Sequence, residues 1–440
     1  AAAQTSPDAA EVPQANPFDP STRGFVHLHL HSEFSLLDGA NRLDKLCARV
    51  KELGMPAVAV TDHGNLFGAA NFAMAAKEAG IKPILGVEAY VTPPGRSRRD
   101  RTYTGVSDGG YHLVLLAENN IGWNNLLVLC SEAYLTGFYF KPRIDRELLE
   151  KHSEGLIAIN GHLGSEIGEH LLAYERSGDE KHWEKALESA AWHKAAFGKR
   201  HQGTQGPRDQ SSIPASLDPS IPRFYIELQH HIIEQNSINK HLIRLARELD
   251  LPLVCDNDSH FLKAEDHDAH DTLICISMGK IKNDPDRLRY PEELYVKSPQ
   301  EMRELFEGEY GEGGVGREAC DNTLRIAERC AGKVQLPFGS NNAPMVRIKV
   351  PAKNDLPRPT APEYAGDPTA WYAAYCAKFE VVPFALPEGA DEERKKTLLD
   401  EAKAECDTAL RMLSEAGFVW RYGYQPGASA TGSADDKVAR

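Results

Sequence analysis

Short apolar runs recur along the first two thirds of the chain, each followed by a loop and then by residues with helical spacing. The runs are FVHLHLH (25–31), AVAVTD (57–62), KPILGVEAYV (82–91), YHLVLLA (111–117), GLIAIN (155–160), RFYIEL (223–228) and LPLVCDND (251–258). Their length and β-branched content predict strands. Between the first two, RLDKLCARVKELG puts Leu43, Leu46, Cys47, Val50 and Leu53 on one helical face, and Gly54 fits the C′ position. Before the last, SINKHLIRLAREL does the same with Ile238, Leu242, Leu245, Ala246 and Leu249, and Ser237 is a candidate N-cap. Strands alternating with amphipathic helices predict an α/β fold, with parallel pairing and the helices outside. Seven units over residues 24–285 suggest a distorted (β/α)7 barrel, and an open doubly wound sheet is the competing architecture. No GxGxxG or P-loop string supports a nucleotide-binding fold.

The pattern breaks in four places. Residues 1–23 are rich in Ala, Pro, Ser and Gln without an apolar centre, which predicts a disordered leader rather than a signal peptide. Residues 198–222, rich in Gly, Pro and Ser, predict a flexible surface insertion. From 286 to 425 helical stretches (SPQEMRELF, REACDNTLRIAERC) give way to an extended Pro-rich segment. A strong amphipathic helix then ends at Gly417. This region predicts a linker and the opening of a further α+β domain. Residues 426–440 predict a disordered tail, and the missing initiator Met suggests a fragment.

Composition narrows the function classes. The 440 residues carry 50 basic and 64 acidic side chains, a net charge of −14, which argues against a generally basic nucleic-acid protein but leaves room for a local basic channel. Eight scattered cysteines without a CxxC pair predict reduced thiols in a cytoplasmic protein. No apolar run reaches membrane-spanning length, so no membrane partner is expected.

Candidate chemistry collects at the run ends. FVHLHLH ends in His29 and His31, and Asp38 follows in the next loop. TDHG supplies Asp62 and His63, GVEAY supplies Glu88, INGH supplies His162, and DNDSH supplies Asp258 and His260. In β/α barrels reactive groups gather at strand C-termini. His112, at the start of its run, is the exception. A lone imidazole on a strand is more often a core residue, so the argument rests on recurrence at run after run. Six histidines and three carboxylates exceed one ion's coordination and predict two or three divalent ions, such as Mn, Zn or Fe, with a bridging carboxylate. Clusters of this kind hydrolyse phosphate esters. His27 shares the inward face one layer deeper and reads as structural, and Asp62 as orienting His63 or holding its turn. His230 and His231 read as rim residues and Cys255 as core.

The strings HLHLHSEFSLLDG, MPAVAVTDHGNLFGAANFAMAAKEAGIKPILGVEAYV, YHLVLLAEN, FYIELQ and LPLVCDNDSHF resemble the polymerase-and-histidinol-phosphatase (PHP) domain. TDHGNLFGA, GIKPILGVEAYV and NDPDRLRYPEELYVKSPQEMRELF are closest to the version at the N-terminus of the bacterial replicative DNA polymerase III alpha subunits. The match covers about residues 24–340. The resemblance implies a PHP-type distorted barrel and, for 286–425, the start of a polymerase palm region. It implies nine metal ligands: His29, His31, Asp38, His63, Glu88, His112, His162, Asp258 and His260. One ion would use His29, His31, Glu88 and Asp258. A second would use Glu88, His112 and His162, and a third Asp38, His63 and His260. It further implies metal-dependent 3′→5′ proofreading exonuclease activity on DNA, with Asp258, His260, Glu88 and His63 at the reacting centre. The primer–template 3′ end, the replication clamp and other replisome subunits would be partners. The competing implications are a stand-alone phosphatase acting on small phosphomonoesters and a metal-stabilised scaffold without catalysis. The family's palm carboxylates (PDxDxDF) and GRGSG loop are absent from these residues, so the Mg-dependent polymerase centre is not among them.

Overall fold

Six of the seven apolar runs become strands of one curled sheet in a computed structural model of the chain. The structure describes residues 16–102, 109–198, 221–336, 345–384, 386–387 and 391–423. Residues 1–15 of the expected leader, the core of the 198–222 insertion and the expected tail lie outside them; residues 16–23, expected to be disordered, are instead ordered, with a short turn at Pro20–Thr22 and Phe18 buried. Two compact units are present, Ala1–Leu336 and Pro337–Arg440.

In the first unit the strands are β1 (Ala57–Val60), β2 (Lys82–Val91), β3 (Tyr111–Ala117), β4 (Arg143–Ile144), β5 (Leu156–Asn160), β6 (Phe224–Leu228) and β7 (Leu253–Cys255). Their order is β1-β2-β3-β5-β6-β7, and β4 pairs with β2. The helices are α1 (Leu43–Glu52), α2 (Ala69–Ala79), α3 (Asn120–Leu135), α4 (Arg146–Lys151), α5 (Glu166–Ser177), α6 (Glu180–Gly198), α7 (Ile233–Glu248), α8 (His267–Met278), α9 (Pro299–Glu309) and α10 (Val315–Cys330). The face read for α1 is the buried one, and Gly54 takes the left-handed C′ conformation at φ 73°. Helix α7 starts at Ile233, a turn before Ser237, which lies inside it with its Oγ donating to the Glu234 carbonyl.

The all-parallel expectation fails at β3, which runs antiparallel to both β2 and β5. Hydrophobic alternation reports which face is buried, not which way a strand runs. The expected first strand, 25–31, is also corrected. It is extended and lies between β1 and the end of β7: Ala59 N donates to His27 O, Thr61 N to Leu30 O, and His31 N to Ser259 O. Two residues of β1 thus span three of this segment, which is a bulge. Side chains take over part of the ladder, with Leu28 N donating to Asp256 Oδ2 and Leu30 N to Thr61 Oγ1. The segment closes the ring that the sheet leaves open.

Alternate strand positions fill the barrel interior with Val26, Leu28, Ala59, Ile84, Val114, Ile159 and Val254. Leu324, Ala327 and Cys330 of α10 and Phe18 join the same core. Asn322 Nδ2 donates to Leu253 O, Val26 N to Thr323 Oγ1, and Arg329 bonds Glu118. Helix α10 is therefore the floor beneath the strand N-termini. The expected boundary at 285 moves to the end of the compact unit, because helices assigned to a linker complete the barrel's core.

The second unit holds an antiparallel pair, β8 (Met345–Lys349) with β9 (Glu380–Phe384), and helices α11 (Pro368–Cys376) and α12 (Glu392–Tyr422). Arg347 pairs with Glu405 of α12, and the Tyr372 and Trp420 rings stack at 4.9 Å. Helix α12 runs past the expected stop at Gly417 and is capped by Gly423 at φ 66°.

Candidate metal centre

The bulge at 28–30 sets the first pair of histidines. Val26 and Leu28 face the inner core, whereas Phe25 and Leu30 join the outer one. The extra residue turns His29 and His31 inward and leaves His27 on the outer face beside Phe25, with ring centroids 5.0 Å apart. The three imidazoles therefore do not share a face, as the alternation suggested. His27 is structural: its Nε2 meets Lys297 O at 2.9 Å and its Nδ1 faces Asp256.

Glu88, on the inward side of β2, is the centre of the cluster. Its Oε1 lies 2.9 Å from His112 Nδ1 and 3.3 Å from both His29 Nε2 and His162 Nε2. Its Oε2 lies 2.6 Å from His63 Nδ1 and 3.4 Å from His31 Nε2. The reversal of β3 explains His112: the start of an antiparallel strand lies at the same barrel end as its neighbours' C-termini. Gly161, at φ 149°, lets the chain turn toward His162 after β5, because a Cβ there would come within 2.5 Å of Glu227 O. Asp258 Oδ1 reaches His31 Nε2 at 3.1 Å and His29 Nε2 at 3.3 Å. It does so from a left-handed backbone, φ 49°, a conformation Asp tolerates better than most residues. Asp38 Oδ2 is 3.3 Å from His63 Nε2, and His31, His63 and His260 stand close enough to share one ion. All nine residues singled out as ligands meet here. The close triad His29–His31–Glu88 falls within the first implied set, whereas His63–Glu88–His112 and His31–His63–His260 draw on two sets each.

Burial and neighbouring charge divide the donors into two kinds. Burial alone would raise the Glu88 carboxyl, but the His112, His63 and His29 imidazoles hold it well below the usual range. Asp258 is likewise held low against its burial by His29, His260 and His31. Burial, reinforced by His63 and His260, pushes His31 down to about 3. Burial also pushes His162 down to about 3, against the pull of Glu88. For these four groups the result is anionic carboxylates beside neutral imidazoles, the protonation states that metal ligation requires. His29 and His63 are raised: burial lowers them, but Asp258, Glu227 and Glu88 outweigh it for His29, and Asp38 and Glu88 for His63.

The fit to a cation is tested by polar atoms left without partners. His29 Nε2, His31 Nε2, His63 Nδ1, His162 Nε2, His260 Nε2, Asp38 Oδ1, Glu88 Oε2 and Asp258 Oδ1 are all buried without a well-formed hydrogen bond, although His63 Nδ1 stands 2.6 Å from Glu88 Oε2 and His31 Nε2 3.1 Å from Asp258 Oδ1. A buried polar group without a partner costs roughly 1–3 kcal/mol. So many in one cluster are not a core, and the residues present fit divalent ions.

The surroundings fix ligand orientation. His29 Nδ1 meets Glu227 Oε1 at 2.9 Å, and Gln229 Nε2 donates to the same oxygen. Nε2 of His29 is thereby turned to the cluster. His260 Nδ1 lies 2.7 Å from the Asp258 carbonyl, which aims its Nε2 in the same way. Asp62 accepts from Ser32 N, Ser32 Oγ and Ser35 Oγ, and Ser35 Oγ touches His31 Nδ1. Asp62 holds the turn and acts on His31, not directly on His63. Tyr290 Oη donates to Asp38 Oδ2 at 3.0 Å, and His270 Nε2 meets the Asp38 carbonyl. Glu227, Tyr290 and His270 were missed in the sequence. A lone acid inside the apolar run RFYIEL was the one available signal. His230 bonds Tyr310 Oη and His231 bonds Gln229 Oε1, both half-buried at the rim. Cys255 is core, with its Sγ 3.5 Å from Cys320 Sγ, and all eight cysteines are free thiols.

A curled mixed sheet thus carries a histidine–carboxylate cluster suited to divalent cations at one mouth. Residues 27–204 match the model of the PHP domain. Over the barrel the chain is homologous to proteins named DNA polymerase III subunit alpha. The Thermus aquaticus protein is 43% identical over 323 residues, covering 72% of this chain and 23% of that one. The Borreliella burgdorferi protein is 41% identical over 308 residues, covering 70% and 24%. The Deinococcus radiodurans protein is 34% identical over 413 residues, covering 90% and 28%. The chain thus spans about a quarter of the length of the curated relatives it matches. Among solved structures, a two-domain protein from Bacteroides vulgatus containing a predicted PHP-like metal-dependent phosphoesterase overlays with a TM-score of 0.31 at 13% identity, covering 76% of this chain and 73% of that one. No helix among the described residues is long and apolar enough to cross a membrane.

Proposed function

We propose that the barrel is the metal-dependent 3′→5′ exonuclease module of a bacterial replicative polymerase alpha subunit. One observation carries the hydrolytic part: the unpartnered buried donors that converge on Glu88. Two or three divalent ions, Mn, Zn or Fe, would be held by His29, His31, Glu88 and Asp258, by Glu88, His112 and His162, and by Asp38, His63 and His260. Bound there, they would polarise the phosphoryl group and lower the pKa of water. The chain's own residues supply the frame. Glu88 keeps a charged carboxylate between the sets, and Asp258, His260 and His63 surround the space where the scissile phosphate would lie. The names of the relatives, and a homologous region longer than the PHP match, favour DNA over a small phosphomonoester. By the same reading the second unit opens a polymerase palm region, whose Mg-dependent centre is not among these residues. The primer–template 3′ end, the clamp and other replisome subunits are the proposed partners, in the cytoplasm.

The test is incubation with manganese and a 3′-labelled primer. Release of labelled mononucleotides is expected. Intact primer, with metal occupancy confirmed, would refute cleavage and leave a metal-stabilised scaffold as the barrel's role.

A further inference from the structure

A run of exposed aromatic rings leads away from the cluster along one side of the barrel mouth. It begins four residues after His63, at Phe67, which is 57% exposed. The Phe67 ring lies 5.8 Å from Tyr134, and Tyr134 lies 6.0 Å from Phe138, stacked at 22°. Phe138 is 49% exposed, and Phe140 two residues on is 78% exposed. Phe140 also sits at φ 59°, a backbone conformation unfavourable for a bulky residue, while presenting its ring to water. The fold's own core gains nothing from that placement.

The chain just past Phe140 approaches the metal site. Gly64, next to His63, packs on Pro142 and Tyr90, and Tyr90 lies 6.1 Å from the His63 ring and 5.0 Å from the His112 ring. Basic groups are interleaved with it. Lys141 lies over Tyr90, its Nζ 4.9 Å from the ring centroid. The loop carrying the exposed Arg99 and Arg101 is pinned to the end of α3 through Arg98 Nε and Thr136 Oγ1, beside Gly137 and Phe138. Asp145 and Glu132 offset Arg98, and Asp100 offsets Arg96, so Lys141, Arg99 and Arg101 are the cations that would meet phosphates. Rings that stack bases beside cations that follow the backbone are how single strands are held without sequence preference.

We propose that Phe67, Tyr134, Phe138 and Phe140 form a stacking track for the unpaired bases of the nucleic-acid strand whose 3′ end enters the metal cluster. This rests on the exonuclease reading and adds the path by which its substrate arrives.

The test is binding of a fluorescein-labelled single-stranded oligonucleotide, with non-cleavable phosphorothioate linkages at its 3′ end, to the full 440-residue chain, read by anisotropy. Phe140→Ala and Phe67→Ala should each raise Kd about tenfold. Phe140→Trp should bind as the wild type does, and Phe140→Leu should not. Ile276→Ala, removing an equally exposed apolar residue on α8, should change nothing. Circular dichroism melts establish that each variant is folded. Unchanged affinity in both alanine variants overturns the track. So does full retention by Phe140→Leu, which marks an apolar contact with a protein partner, and so does a wild-type chain that does not bind the strand. A wild-type chain that binds through the track but leaves an ordinary oligonucleotide intact sustains the track and refutes the exonuclease reading instead.

Discussion

Both oxygens of Glu88 face imidazoles, so no other single side chain touches as much of the cluster. Glu88→Gln removes the charge without changing shape, and bound metal per chain should fall by at least one ion. Elemental analysis after purification without chelators checks this. Asp258→Asn should abolish nucleotide release while circular dichroism shows a folded barrel. Glu227 acts one bond further out. Glu227→Gln weakens the acceptor behind His29 Nδ1 and should cost about 10- to 100-fold in metal affinity, measured by competition with a chelator. Most of the nine proposed ligands were legible because they stand at the ends of apolar runs, His112 and the loop residue Asp38 apart, and recurrence outweighs the ambiguity of any one histidine. Glu227 was not, because a buried acid on a strand looks the same in sequence whether it faces an imidazole or a lysine. The outward turn of His27 was hidden for another reason: a bulge inverts the alternation without leaving a distinctive residue.

At the scale of elements, the structure turns on one reversed strand and one late helix. The strands themselves could be read from their apolar runs, and α1 from its helical spacing. The direction of β3 could not, and β4, two residues long, carries no period to detect. Helix α10 was recognised as a helix but assigned to the wrong neighbour, because its amphipathic face does not say what it covers. Leu324→Ala should destabilise the barrel by about 2–5 kcal/mol, the range for emptying a buried leucine site, measured by urea denaturation. His193 of α6 offers a second check, remote from the cluster. It is buried, stacked on Phe224 at 5.2 Å, and burial pushes it down to about 4 from 6.5. The unfolded chain takes up that proton first, so stability should fall as pH drops from about 6.5 toward 4. The slope is on the order of 1.4 kcal/mol per pH unit, fully relieved above 6.5. His193→Phe should flatten that part of the curve in denaturation series at stepped pH.

For the whole molecule, the proposed metal would be linked to folding. Eight unpartnered polar atoms in one interior are a standing penalty that a cation removes. Dialysis against a chelator should lower the thermal midpoint of the barrel, and manganese should restore it. Metal at a hundred times its Kd contributes about 2.7 kcal/mol. Composition argued against a generally basic nucleic-acid protein. It could not show the positive charge beside the mouth, because a net figure averages over the surface.

The floor helix also imposes an order in time. Synthesis delivers the cup first and its base last. A nascent polypeptide arrested after His260 already owns every donor but has nothing beneath Val26 and Leu28 to keep water out. On the proposed reading, translation would have to run on through Ala331 before the vessel is sealed around its ions, and hydrolytic competence would be a late event in the life of the chain.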